Sequence, residues 1–287
     1  MDRFSVYVLV YGDEYEVAGR CLRSMVSANS EVDALKAVVA DFRIAVHAPS
    51  VRLRQVVDYW SAMAHEKTGL PVKLYLPVNN VFKYPTMRRM LYDEVHPAGE
   101  LVMWFDDDSY LEGKDDFWPR VHRVALTNDV VGQRWWVRPR GGQWDWIQTQ
   151  PWCNPKLRKP YTFTFCQGAW WCSKHAVLKR LNWPVPELRH NGGDSMFGEV
   201  CRHQGLKRRF FEYGVRINAD EFGQHSAGGR RGYRESEIAA HYSGEPLPTD
   251  HQRFEVEWVR WENGERQAGS AEREGVSFER QEQRAEG

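Results

Sequence analysis

The sequence predicts a single α/β domain with a mainly parallel central sheet and a long Trp-rich insertion. Three observations carry this. Short apolar, β-branched runs alternate with helix-length segments through the first hundred residues. One such run, Leu101 to Phe105, ends abruptly in three aspartates. A Trp-, Arg-, Gly- and Pro-rich stretch without periodicity then follows, from about Gly132 to Pro160. Alternating strands and helices imply right-handed βαβ crossovers, which make neighbouring strands parallel. At 287 residues the chain suffices for one large domain with a sizeable core.

Taken in order, Phe4 to Tyr11 (FSVYVLVY) reads as a buried first strand closed by Gly12-Asp13. A helix is expected over Glu14 to Met25. A second is expected from the cap candidate Ser30 through DALKAVVADF, before a short strand at Arg43 to Ala48. Ser50 is placed to cap a longer helix that stops at Gly69, and Val72 to Leu76 forms the third strand before Pro77. Pro85 suits the first turn of the helix that continues through TMRRMLYDEV. Beyond the aspartates, the expectation is a long ordered loop or irregular hairpin, a strand at Thr162 to Phe165 and a helix from Ser173 to Leu181. A further helix should run from Gly192-Gly193 to His203, followed by a strand at Lys207 to Tyr213. The expected domain is 1–262, with a first half at 1–131 and a second at 132–262. Residues 263–287, charged and nearly free of aromatics, are expected to be a disordered tail.

Composition narrows the class. Hydrophobic residues at 42% and charged residues at 27% are those of a globular protein, and with no apolar run near 18 residues a membrane span is not expected. The start, Met1-Asp2-Arg3, enters an apolar stretch too short for a secretion signal, so a cytoplasmic location is expected. Five scattered cysteines without CxxC spacing argue against a disulfide framework and a Cys-rich zinc site. Lys plus Arg balance Asp plus Glu at 39 each, which removes the global positive field of a dedicated nucleic-acid binder while leaving room for a local basic face.

Asp106, Asp107 and Asp108 follow a buried strand at the carboxyl edge of the sheet, where open α/β folds bind ligands. Adjacent carboxylates repel one another, and a divalent cation bridging two of them to a diphosphate removes that repulsion; Mg²⁺ and Mn²⁺ favour such hard oxygen donors. Alternation along a strand lets Asp106 and Asp108 converge while Asp107 faces elsewhere. A solvated acidic turn is the plainer alternative.

FSVYVLVYGD at the start, WFDDDSYL near the middle and HNGGDSMFGEVCRHQG downstream together resemble the GT-A glycosyltransferases, those of the large family two group and fringe-like enzymes, over residues 4–230. NNVFKYPTMRRMLYDEV before WFDDDS, with the Trp-rich insertion after it, is similar to glycosyltransferases that viruses of bacteria encode beside pyrimidine-hydroxylating dioxygenases; these decorate hydroxymethyl bases in DNA. The resemblance implies a metal-dependent transfer of a sugar from a nucleotide diphosphate, a UDP-sugar first among them, onto a hydroxyl. Asp106 and Asp108 would hold Mn²⁺ or Mg²⁺, with Asp107 at the ribose or the metal. Val10, Tyr11, Gly12 and Asp13 would line the nucleotide pocket, with Lys83, Arg88 and Arg89 near the base and phosphates.

Within that frame the reaction is expected to invert the anomeric centre, with Asp194 as the base that takes the acceptor's proton; N-capping of the helix it opens is its alternative role. Gly192-Gly193 would let the backbone approach a ligand. Glu199 is the reserve base. His225 is a candidate third metal ligand, and Arg230 and Arg231 in GGRRGY would clamp the diphosphate. Trp135, Trp136, Trp144 and Trp146 are candidates to stack on acceptor rings, and Trp170 and Trp171 to line the sugar, although at least half of these rings are expected in the core. A DNA acceptor would call for a basic rim of Arg134, Arg138, Arg140, Lys156, Arg158 and Lys159. The competing acceptor is a surface glycan or a small molecule. Two other classes, an aspartate-nucleophile phosphatase and a non-catalytic carbohydrate binder, fit less well: the phosphatase motif belongs on a first strand.

Overall fold

The computed structural model describes residues 2–26, 32–47, 49–77, 83–93, 99–112, 116–139, 142–166, 168–186, 188 and 193–217. It also gives the backbone of three strands within 253–275. The α/β class and the parallel sheet centre are as expected. Strands β1 (Phe4–Tyr11), β2 (Val39–His47), β3 (Val72–Pro77) and β4 (Leu101–Asp106) are mutually parallel in the order β4-β1-β2-β3. Helices α1 (Tyr15–Val26), α2 (Val32–Val38), α3 (Val51–Thr68) and α4 (Lys83–Leu91) lie between them in sequence. After β4 come β5 (Ser109–Leu111), α5 (Phe117–Thr127), β6 (Val130–Gly132), β7 (Trp135–Val137), α6 (Gln143–Thr149), β8 (Phe163–Phe165), β9 (Trp170–Lys174), α7 (His175–Arg180), α8 (Gly193–His203), β10 (Arg208–Phe210) and β11 (Val215–Ile217). Antiparallel β9 joins β4 to β6 and β10, while β12 (Arg253–Glu262) runs antiparallel beside β3.

Side-chain alternation explains the three layers. Phe4, Val6, Val8 and Val10 of β1, with Leu101, Met103 and Phe105 of β4, pack against α1, α2, α3 and α5. Tyr7, Leu9, Val102 and Trp104 face the opposite core, built from α4, α6, α7 and α8. Near-continuous apolar strands are what a sheet covered on both faces requires. Helix α3 has the ends its sequence called for: Ser50 Oγ accepts the Leu53 N–H at 3.1 Å, and Gly69 closes it at φ +66°. Among the described residues no helix is long and apolar enough to cross a membrane.

Two element bounds differ from expectation, and two further segments gain defined elements. Strand β2 begins at Val39 rather than Arg43, because pairing with β1 and β3 overrides the helical composition of VVADF. The Trp-rich stretch is ordered as β7 and α6, with β7 pairing β8 in a two-stranded ribbon. The helix expected from Ser173 is preceded by β9, so it begins at His175. Within residues 263–287, β13 (Glu265–Ala268) and β14 (Glu272–Gly275) pair antiparallel with β12.

Candidate functional site

The chain runs from β1 to β2 and β3 on one side, then returns to place β4 on the other side of β1. That reversal makes the carboxyl ends of β1 and β4 a topological switch point, the place where doubly wound sheets bind ligands. Asp106 pairs across with Leu9, so the acidic triplet and the Tyr11-Gly12-Asp13 turn both lie at this switch point.

The Asp106 carboxylate is held from two directions. Trp104 Nε1 donates to Oδ1 at 2.9 Å and Lys83 Nζ to Oδ2 at 2.8 Å. Trp104 is fully buried and stacks between Tyr7 (centroids 6.1 Å apart) and Trp171 (6.3 Å), so Oδ1 is fixed by an immobile donor. The backbone is fixed as well: Asp106 N donates to Ala169 O at 2.7 Å, and Ser109 Oγ to the same carbonyl at 2.8 Å. The expected alternation stops where β4 ends at Asp106 and the Asp107-Asp108 turn begins. All three carboxylates act on Cys21, in α1 beneath the turn: burial, then Asp107, Asp108 and Asp106, push its thiol well up.

Helix α4 supplies a second link at its N-terminus. Tyr84, next to Lys83 and 1% exposed, donates its hydroxyl to Asp194 Oδ1 at 2.8 Å. Consecutive side chains thus bind the two aspartates singled out in the sequence as metal ligand and base. Asp194 lies inside the first turn of α8 rather than before it, so its carboxylate serves Tyr84. Gly193 gives close approach to the Tyr84 ring: a Cβ there would sit against Cζ, Cε2 and Oη. The glycine thus meets a side chain where the sequence argument expected a ligand.

The remaining candidates divide. Val10 is fully buried, so its side chain cannot line a pocket. Tyr11 is half-buried, and Gly12 turns at φ +67° with open space where a Cβ would be. The Gly12 amide donates to His47 O at 3.0 Å and its carbonyl accepts from Ser50 N at 2.8 Å, while Asp13 Oδ1 accepts from Ser50 Oγ at 2.6 Å. The turn is therefore bound into the α3 cap. Arg88 donates to Pro184 O at 2.7 Å, and Arg89 lies 3.7 Å from Asp93, so both hold α4 to its surroundings. Glu199 is 1% exposed and gripped by Arg202, with His203 3.6 Å away, an engaged carboxylate unsuited to a base. His225, Arg230 and Arg231 lie outside the described residues.

Trp170 and Trp171, at 0% and 1% exposure, are core residues of β9 with no face open to a sugar. Trp144 and Trp146 are likewise buried, against His203 and Trp152. Trp136 is 68% exposed, and Trp135 is half-buried over Gly168, which immediately precedes the Ala169 and Trp170 that pair with the end of β4. Trp136 of β7 and the flanking Arg134 and Arg138 are exposed in alternation, with the Arg138 guanidinium 5.4 Å from the exposed Tyr161 ring. Lys156, Arg158 and Lys159 are exposed, and Arg140 lies outside the described residues.

Among the described residues no group of three or more His, Cys, Asp or Glu side chains is placed to hold a metal ion. The donors at the end of β4 nevertheless suit Mg²⁺ or Mn²⁺, which bind through one or two carboxylates together with a substrate's phosphates.

No protein-family model matches the chain, and no curated protein sequence matches it. Among solved structures it is similar to TarS of S. aureus (TM-score 0.46, 13% identity, covering 74% of this chain and 58% of that one). It is also similar to a mannosyltransferase of Pyrobaculum calidifontis in complex with GDP-Man and Mn²⁺ (0.47, 15%, 83% and 63%). A third likeness is to a 4-diphosphocytidyl-2C-methyl-D-erythritol synthase of Anaerococcus prevotii (0.43, 9%, 84% and 97%). The chain spans about three fifths of the TarS and mannosyltransferase chains. At these identities no side chain of the site carries across.

Proposed function

We propose that the protein is a GT-A type glycosyltransferase that moves a sugar from a nucleotide diphosphate onto an acceptor hydroxyl. The observation that carries this reading is the pairing of Asp106 with Lys83 and of Asp194 with Tyr84 at one helix N-terminus, beside the switch point of a parallel sheet. Asp106 and Asp108 would hold a divalent cation, which when bound neutralises charge on the departing diphosphate. Lys83 faces the same diphosphate. Asp194 Oδ2 takes the proton of the attacking hydroxyl while Tyr84 keeps Oδ1, fixing the carboxylate's orientation. A carboxylate acting as base on the acceptor fits direct, inverting displacement.

For the acceptor, the local charge supports a DNA strand carrying hydroxymethylated bases. Between residues 133 and 162 stand six cations (Arg134, Arg138, Arg140, Lys156, Arg158, Lys159) and one acid (Asp145), in a chain of zero net charge. Exposed Trp136 and Tyr161 offer stacking faces among them.

The test is a thermal-shift screen of UDP-, GDP- and other nucleotide sugars with and without Mn²⁺, followed by sugar transfer to hydroxymethylated DNA. A donor at a hundred times its Kd stabilises the native state by about 2.7 kcal/mol. If no nucleotide sugar raises the melting temperature, the reading is wrong. Transfer to glycans but not to DNA would reassign the acceptor alone.

A further inference from the structure

Lys83 holds a position that a cation reading of Asp106 must account for. Its ammonium lies 2.8 Å from Asp106 Oδ2, in a pair whose side chains are only 11% and 23% exposed and so are weakly screened by salt. Trp104, fully buried between two stacked rings, retains Oδ1. The oxygen left for a metal is therefore the one the lysine holds, and two like charges on one oxygen repel. Of the two donors only Lys83 can yield: it is the first residue of α4, on a flexible four-carbon stem.

We propose that Lys83 is an internal counter-ion that competes with a divalent cation for Asp106 and gives way when an anionic ligand draws its ammonium from the carboxylate. This rests on the cation reading above. Before a donor arrives, the lysine offsets part of the triplet's self-repulsion and the bare cation binds poorly. When a diphosphate enters, the lysine moves to its oxygens and frees Asp106 Oδ2. Cation and diphosphate then strengthen one another's binding, as linkage requires.

The experiment counts free Mn²⁺ by electron paramagnetic resonance in titrations of the full chain, without nucleotide and then with UDP or GDP in separate arms. Lys83→Met should bind Mn²⁺ alone about tenfold tighter than wild type, within the usual range of coupled sites. Lys83→Arg, which keeps the charge, should not. Nucleotide should tighten Mn²⁺ binding in the wild type and much less in Lys83→Met. Lys83→Gln repeats the measurement if the methionine variant fails to fold. Equal Mn²⁺ affinity in wild type and neutral variants, or an equal nucleotide effect in both, overturns the proposal while leaving the cation site standing. Absence of Mn²⁺ binding by every form into the millimolar range removes the cation site and this inference with it.

Discussion

Gly193→Ala is the sharpest perturbation the structure offers. A Cβ at this position falls well inside 3.0 Å of Tyr84 Cζ, Cε2 and Oη, closer than Cβ atoms come to any neighbour. The ring has little room to retreat: Tyr84 is 1% exposed, edge-on to the buried Trp183 at 6.2 Å, and tied to Asp194 through its hydroxyl. Overpacking of this kind costs about 1–3 kcal/mol, and loss of a hydrogen bond to a charged group about 1.5–3 kcal/mol. Together they give about 2.5–6 kcal/mol. For a chain of this size each kcal/mol lowers the melting temperature by roughly 2–4 °C, so a fall of about 10 °C is expected. Thermal and urea melts measure it, and a double-mutant cycle locates its cause: in a Tyr84→Ala background, which empties the space, adding Gly193→Ala should cost about 1 kcal/mol or less. A melting temperature within 2 °C of wild type, or the same cost in both backgrounds, refutes the steric argument.

Asp108→Asn should abolish metal-dependent sugar transfer without changing the melt, and Asp194→Asn should cut kcat about a hundredfold or more while nucleotide-sugar binding persists; steady-state kinetics beside calorimetric binding separate the two. Asp93 joins α4 to buried Lys73 and Tyr75. Burial pushes its carboxyl up, but Lys73, Tyr75 and Arg89 outweigh it and hold it below the usual range. Its stabilising share is therefore complete above the unfolded carboxylate's value of about 4 and is lost as pH falls through the lower folded value. Urea melts from pH 2 to 6 should show that slope, flattened in Asp93→Asn. At pH 7 the same variant should lose about 3–5 kcal/mol, because Lys73 is left buried without its carboxylate. Trp136→Ala should change stability by less than about 0.5 kcal/mol, as exposed positions do, yet weaken binding of single-stranded DNA by about 1–3 kcal/mol in low-salt titrations.

Much of this was legible in the sequence because it rests on short-range physics. The strands around β1, the Ser50 and Gly69 ends of α3 and the placement of the aspartates at a strand's exit follow from side-chain periodicity and capping, which local order specifies. Lys83 was picked out as a phosphate contact, but its pairing with Asp106, 23 residues on, was not legible, nor was that of Tyr84 with Asp194, 110 residues on. The first link arises only when α4 packs on the face of the sheet that Trp104 and Asp106 share.

The tryptophans show the same division. Composition marks them as a cluster, yet Trp136 and Trp171 differ in role only because one is on the outer face of a two-stranded ribbon and the other on a central strand covered from both sides. The sequence by itself determined which residue types could form strands, caps and a carboxylate cluster, since those depend on neighbours a few bonds away. Tertiary structure alone decided which carboxylate meets which partner and which ring meets water, because those depend on how β4 returns beside β1 and which helices close over each face.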